Sequence, residues 1–541
     1  MKYILLSFLI FAVSCASNNQ ADENISIIPQ PNNMEVGKGN FTLNGDVTLS
    51  YNSESLLLLV ENFKTDVAEI ISLTDSNDEK ADIKLELTTA GDNDQVYYFE
   101  TSKKGVVIRA GSEKGLYYGL QTLKQLMLFS NPAKGRVVLP VLTIEDVPRF
   151  GWRGLMLDES RSFFGVEKVK ELLELMSMQK LNVFHWHLTD DPGWRIEIKK
   201  YPNLTTIGGV GNELDPEAPA QFYTQEEIKE IVQFAAERFI QVIPEIDMPG
   251  HARAANRAYP EYSGGGSEAH PEFTFNPGKE ETYAYLTDIL REITTLFPSQ
   301  YIHMGGDEVH FGNEKWNTDM NVKQLMRREK LDDLKAVEHY FVHRMADSIR
   351  MLNKTVIGWD EIVDLHLATD NSLVMWWRHD KVNKLQAALD AGYDVVLCPR
   401  IPLYYDFDQD ESHQYGRKWG GAYSPLDMVY AFPPDTLLNL TQNQKQIKGI
   451  QANIWTERID DIARLDYMTH PRLSALAEAA WTNEENKNFD DFKERLKPML
   501  SYFDALGIGY NNPFEPGLTP EPESFYKRKI DLEKLNKENK K

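Results

Sequence analysis

Residues 154–161 read GLMLDESR, a short apolar run that breaks abruptly into an Asp-Glu-Ser-Arg cluster. The same texture recurs in NVFHWHLTDD (182–191), IQVIPEIDMPGH (240–251), YIHMGGDE (301–308), TVIGWDE (355–361), LVMWWR (373–378), DVVLCPR (394–400) and IKGIQANIWTE (447–457). Helical patterns such as VEKVKELLELMSMQK (166–180) and YTQEEIKEIVQFAAERF (223–239) lie between several of these runs. Eight strand-then-helix repeats are the pattern of a (β/α)8 TIM barrel, so the fold class is α/β. Barrels of this kind take about 250 residues, and more than 400 with insertions, which suits residues 147–510.

Upstream, IKLEL (83–87), QVYYFE (95–100) and GVVIRA (105–110) have strand character, and SEKGLYYGLQTLKQLM (112–127) has apolar residues at helical spacing. Residues 24–146 therefore read as a smaller α+β accessory domain. Within the barrel, long insertions after Pro249 and from Arg400 to Pro434 are expected at its mouth, and Gly264–Gly266 marks a tightly turning or mobile loop. A last amphipathic helix is expected over Asn486–Ala505. Residues 511–541 read as a polar tail, partly disordered from Pro520 onward.

The chain has 541 residues, with 58 Lys+Arg against 82 Asp+Glu and a net charge of −24. Such a surface repels phosphate backbones and anionic leaflets, which excludes nucleic acid as a partner. Charged residues at 26% and hydrophobic residues at 42% fit neither a disordered chain nor a polytopic membrane protein. Lys2, the apolar run Ile4–Val13, then Ser14 and Cys15 resemble a bacterial lipoprotein signal over residues 1–15, with Cys15 as the lipidated first mature residue. An ordinary signal peptide cut nearby is the alternative. Both imply export; the lipoprotein reading places the protein at the cell envelope, periplasm or outer surface, with membrane attachment only through a lipid on Cys15. The other cysteine, Cys398, reads as a buried small hydrophobe.

Barrel chemistry sits at the C-terminal ends of the strands. Those ends carry Asp158 and Arg161, Asp190 and Asp191, Asp247 and His251, Asp307 and Glu308, Trp359 and Asp360, Trp376 and Trp377, and Trp455 and Glu457. Tryptophans 186, 194, 359, 376, 377 and 455, six of the ten, fall in or beside these clusters. Ring faces flanked by charged groups suit a pyranose, whose C–H faces pack on aromatics while its hydroxyls take charged partners. The alternative is that these tryptophans fill space between barrel and helices.

HMGGDE (303–308) resembles the signature of the family 20 glycoside hydrolases, the β-N-acetylhexosaminidases. GWRGLMLDESR, HWHLTDDPGWR, PEIDMPGH, GWDEI and IWTE are similar to that family's other strand ends, in the same order. Pro192 departs from the pattern, which commonly has Gln there, and puts the local loop geometry in question. The resemblance implies exo-acting hydrolysis of terminal β-linked N-acetylglucosamine or N-acetylgalactosamine, without cofactor or metal. It further implies that the substrate's own 2-acetamido oxygen attacks the anomeric carbon. Adjacent Asp307 and Glu308 project in different directions along an extended chain and make a poor acid–nucleophile pair, in keeping with that scheme. Asp307 then orients the acetamido group. Glu308 is the general acid, its pKa expected to rise beside ionised Asp307.

By the same resemblance, Arg161 binds the 3- and 4-hydroxyls, Glu457 the 4-hydroxyl and Asp406 the region of the 6-hydroxyl, while Tyr404 donates to the acetamido oxygen. Trp359, Trp377 and Trp455 wall the pocket; Trp376 faces away, since neighbours on a strand point oppositely. Asp190, His251 and His303 hold the catalytic pair by hydrogen bonds, with a structural role alone as the alternative for His303. Two rival readings remain distinct. A metal-dependent barrel hydrolase would use the HxH pair His185 and His187 and lose activity to chelators. A glycan-binding lipoprotein without turnover would keep the tryptophans but not Asp307, Glu308 and Tyr404 together.

Overall fold

A computed structural model describes residues 25–78, 80–130 and 133–524. The signal-type segment with Cys15 lies outside the described residues. Eight parallel strands close into a barrel in chain order: Trp152–Asp158, Val183–His187, Gln241–Glu245, Tyr301–His303, Thr355–Trp359, Ser372–Trp376, Asp394–Leu397 and Ile447–Ile454. Each of the eight apolar runs thus contains one strand.

Strand alternation divides the buried residues into two layers. Along Val183–His187, Phe184 and Trp186 join the large outer core between strands and helices, whereas Val183, His185 and His187 turn into the lumen. Ile243, Ile357, Leu373, Met375, Val396 and Cys398 fill the lumen from the other strands. Several of the outer helices are amphipathic, with a buried and an exposed face. Gln225–Ala236 starts at a capping box in which Thr224 and Glu227 each bond the other's backbone N–H.

The N-terminal domain is a seven-stranded mixed sheet, with Arg136–Asp146 paired between Asn33–Asn44 and Tyr97–Ser102. IKLEL and GVVIRA are neighbouring parallel strands, and the helix Glu113–Phe129 starts at the cap Ser112. That helix packs on the sheet and on the barrel helix Val166–Met178. Trp481, at the end of the barrel helix Arg472–Trp481, is buried in the N-terminal domain's core.

The last helix spans Phe489–Leu506, but the chain beyond it does not leave the surface at once. Asn511 and Asn512 are buried, and Glu521 accepts from the buried Arg464 guanidinium at 3.0 Å and from the Gln414 backbone N–H at 2.7 Å. One carboxylate meeting a buried cation and loop N–H groups is enough to pin this polar stretch. Residues 525–541 lie outside the described residues. Among the described residues, no helix is long and apolar enough to cross a membrane.

Candidate active site

The C-terminal ends of the strands surround a cavity of about 500 Å³. It is lined by Arg161, Asp190, His251, Asp307, Glu308, Trp359, Trp377, Tyr404, Asp406, Arg417, Trp419, Trp455 and Glu457. Several of these groups have a buried polar atom with no protein partner: Asp307 Oδ1, Asp406 Oδ1, Glu457 Oε2 and the Trp455 indole nitrogen. Buried polar atoms are normally paired, so such orphans around one cavity, with His251 Nε2 a fifth, mark it as the place where a hydroxylated or amide-bearing ligand completes the hydrogen bonding.

Asp307 and Glu308 follow the fourth strand through Gly305 and Gly306, whose φ values are +69° and +94°. A Cβ on Gly305 would come within 1.7 Å of Asp247 Oδ1, so only glycine lets this turn approach that carboxylate. Glu308 itself is left-handed, with φ +53°. The turn separates the two carboxyls: Asp307 is 13% exposed and faces the cavity, while Glu308 is 32% exposed at its rim. Burial, and then the nearby Asp247 carboxylate, push Asp307 well above the usual carboxylate range.

A chain of alternating charge supports the pair from below. His251 Nε2 lies 3.7 Å from Asp307 Oδ2 and 3.9 Å from Glu308 Oε2, and its Nδ1 lies 3.0 Å from Asp190 Oδ1. Asp190 Oδ2 also meets Arg161 Nη2 at 2.8 Å and His187 Nε2 at 3.0 Å. His187 Nδ1 in turn lies 2.5 Å from Glu245 Oε2. Burial opposes the imidazolium, but the Asp190, Asp307 and Asp247 carboxylates hold His251 well above the usual histidine range. Against its own burial, Asp190 is held well below the carboxylate range by Arg161 and His251. Pro192 leaves this intact: the turn closes by Asp190 N–H to Gly193 C=O at 3.2 Å.

Of the two readings of His303, its contacts follow the structural one, with Glu245 rather than the catalytic pair as its partner. Its side chain enters the lumen one layer lower, with Nδ1 2.9 Å from Glu245 Oε1. Glu245, passed over in PEIDMPGH, is the centre of that layer; it also accepts from Trp359 Nε1 at 2.9 Å and lies 3.0 Å from His185 Nε2. His185, Glu245 and His303 have the spacing of a metal site, as do Asp190, Asp247 and His251, and His251, Asp307 and Glu308. Burial pushes His185 down to about 4, so its ring is neutral, and its Nδ1 faces the Gln451 amide at 3.1 Å.

Trp359, Trp377 and Trp455 line the cavity, whereas Trp186, Trp194 and Trp376 belong to the outer core. Space filling therefore accounts for half of the six strand-end tryptophans. Trp377 is fixed by Glu361 Oε2, which accepts from its Nε1 at 3.1 Å. Trp377 and Tyr404 are nearly parallel, 11° apart, and Trp455 lies 6.1 Å from Tyr404. Burial keeps the Tyr404 phenol protonated, hence a donor. Asp158 ties the first strand end to the last, accepting from the N–H groups of Arg161 and Thr456, both at 3.1 Å. Besides Glu245 and Glu361, sequence reading missed Arg417 and Trp419. They come from the Arg400–Pro434 insertion expected at the mouth, an irregular stretch with no periodicity to show which of its side chains enter the cavity.

A parallel barrel whose mouth combines paired carboxyls, three indole walls and orphaned acceptors defines a carbohydrate-active hydrolase site. Residues 150–484 match the catalytic domain of glycosyl hydrolase family 20, and residues 24–147 match domain 2 of that family. The chain belongs to glycosyl hydrolase family 20. It is 36% identical over 521 residues to a β-hexosaminidase of Porphyromonas gingivalis, covering 92% of this chain and 66% of that protein's length. Among solved structures, the exo-β-N-acetylglucosaminidase of Vibrio harveyi in complex with N-acetylglucosamine superposes with a TM-score of 0.82 at 32% identity, covering 93% of this chain and 81% of that one. A Streptomyces plicatus β-hexosaminidase mutant with product superposes with a TM-score of 0.79 at 28% identity, covering 91% and 97%.

Proposed function

We infer that the protein is an exo-acting, retaining β-N-acetylhexosaminidase that removes terminal β-linked N-acetylglucosamine or N-acetylgalactosamine from oligosaccharides or glycoconjugates. The observation that carries this reading is the orphaned Asp307 Oδ1, in a cavity with the Tyr404 donor and three indole walls, next to a carboxyl turned outward. A 2-acetamido group supplies what those groups lack, an N–H for Asp307 and a carbonyl oxygen for Tyr404.

In this reading the acetamido oxygen attacks the anomeric carbon as its bond to the leaving oxygen breaks, and Glu308 gives that oxygen its proton. The product is an oxazolinium ion whose N–H points at Asp307. Desolvation raises the empty enzyme's Asp307, and the positive charge developing beside it favours the carboxylate when it is needed. Water then attacks the same carbon, Glu308 takes its proton, and the acetamido group reforms with net retention. Arg161, Asp406 and Glu457 bind ring hydroxyls; Asp190 and His251 hold the pair in place.

A panel of aryl β-glycosides differing only at the 2- and 4-positions tests the reading. The 2-acetamido substrates should be cleaved and their 2-hydroxyl counterparts left nearly untouched, and a thiazoline analogue of the intermediate should inhibit strongly. Equal rates on both series would refute it. We also propose attachment to the cell envelope through a lipid on Cys15, supported by the run from Lys2 to Cys15. Cell fractionation checks this: the Cys15→Ser variant should leave the membrane fraction, and unchanged partition would disprove it.

A further inference from the structure

Asp406 and Glu457 each line the cavity with one oxygen engaged and one free. Asp406 Oδ2 accepts from Arg417 Nε at 2.6 Å, and Glu457 Oε1 lies 3.0 Å from Nη2 of the same guanidinium. The other two oxygens, Asp406 Oδ1 and Glu457 Oε2, are the buried orphans described above. A guanidinium is a rigid planar fork, so one side chain fixes the planes of both carboxylates, and with them the directions of both free acceptors. A lysine at this position would be a point charge with no such geometry.

Arg417 is itself held in place. Its backbone N–H donates to the Asp406 carbonyl at 2.8 Å, its carbonyl accepts from the Asp408 N–H at 3.1 Å, and its guanidinium lies 4.4 Å from the Trp419 ring. The two carboxylates come from different elements, Asp406 from the loop after the seventh strand and Glu457 from the end of the eighth. Arg417 is the group that joins them.

We propose that Arg417 is a specificity-determining residue, whose fork aims Asp406 and Glu457 at two separate hydroxyls of the terminal sugar. The inference rests on the hexosaminidase reading, which makes those carboxylates the partners of the 6- and 4-hydroxyls. A buried ionised acceptor left without its donor is strongly unfavourable, so the enzyme rejects sugars that lack or misplace either hydroxyl. The selectivity belongs to the three-residue unit rather than to either carboxylate alone.

The test measures kcat/KM for 4-nitrophenyl N-acetyl-β-glucosaminide, its 4-deoxy and 6-deoxy analogues and its galacto epimer, on wild type, Arg417→Met and Arg417→Lys. Wild type should lose about 10- to 100-fold for each missing hydroxyl, the range for hydrogen bonds to charged groups. In Arg417→Met the parent substrate should lose a similar factor, chiefly through KM, and each deoxy penalty should shrink to about threefold or less. Arg417→Lys should restore one penalty but not both. A folded Arg417→Met with undiminished penalties would overturn the proposal, as would absence of penalties in wild type. If Arg417→Met does not fold, Arg417→Lys decides, and full retention of both penalties in it is fatal to the fork. Failure of the underlying reading shows separately, as wild-type cleavage of 2-hydroxyl glycosides.

Discussion

At the scale of single residues, Asp307 and Glu308 are neighbours in sequence with different surroundings. Asp307 is enclosed beside Asp247, and Glu308, in a left-handed conformation, is the more exposed of the two at the cavity. Their roles separate by leaving group. Glu308→Gln should lower kcat by about 10²- to 10⁴-fold on N,N′-diacetylchitobiose, whose departing alkoxide needs a proton. On 2,4-dinitrophenyl N-acetyl-β-glucosaminide, whose phenolate departs unaided, the loss should be about tenfold or less. Asp307→Asn should damage both substrates alike, because it weakens formation of the oxazolinium ion itself. Steady-state kinetics of the two variants on the two substrates checks this. A leaving-group dependence in Asp307→Asn equal to that of Glu308→Gln would mean that the roles are misassigned.

At the scale of elements, what was legible in the sequence follows from how a barrel strand uses its residues. An inward residue at a strand end has two possible surroundings, packed lumen or open mouth, and a carboxylate or histidine there announces itself. Asp190, Asp307 and Glu457 were therefore readable, as was the outward turn of Trp376 beside the inward Trp377. Layer depth was not. His303 and Asp307 lie four residues apart in one motif, yet the glycine turn between them puts one on the lumen floor and the other at the mouth. Glu245 escaped notice for a related reason: its partners His185, His187 and His303 come from two other strands, and pairing across strands cannot be seen along one chain. Arg417 and Trp419 sit on a loop with no repeat to set their direction. The same limit applied to Glu521, whose partner Arg464 lies in the helix Ile462–Thr469 and turns an apparently free tail into a strap.

At the scale of the whole molecule, the domains are joined by buried charge as well as by apolar surface. Trp481 donates to Asp146 Oδ2 at 3.0 Å, and its ring lies 4.6 Å from Lys180 Nζ and 4.9 Å from the Arg153 guanidinium. A molecule with this many enclosed ionisable groups must have a stability that depends on pH. Burial pushes Glu159, Glu213 and Asp247 up to about 7, and Asp406 and Asp466 up to about 6. Carboxyls raised on folding keep protons that the unfolded chain releases near pH 4, so these five lower the stability as pH rises from about 4 to about 7. His187 and His251, also raised, contribute stability that is complete below the unfolded histidine value and declines above it, in the same direction. The opposite sign belongs to His185 and His470, which burial pushes down to about 4 and about 3. They stay neutral in the fold while the unfolded chain takes up protons, so acid below about pH 6 works against the native state. Asp190 and Glu245, held low by their cationic partners, add to that acid loss. The five raised carboxyls outnumber the two lowered histidines, so scanning calorimetry of the ligand-free protein should show the highest Tm near about pH 5, with lower values at about pH 8.5 and pH 3. The net charge of −24 deepens the alkaline side through self-repulsion, and added salt should recover part of the loss there. A Tm that rises steadily from pH 6 to 8.5 would mean that the enclosed carboxyls are not raised as their burial requires.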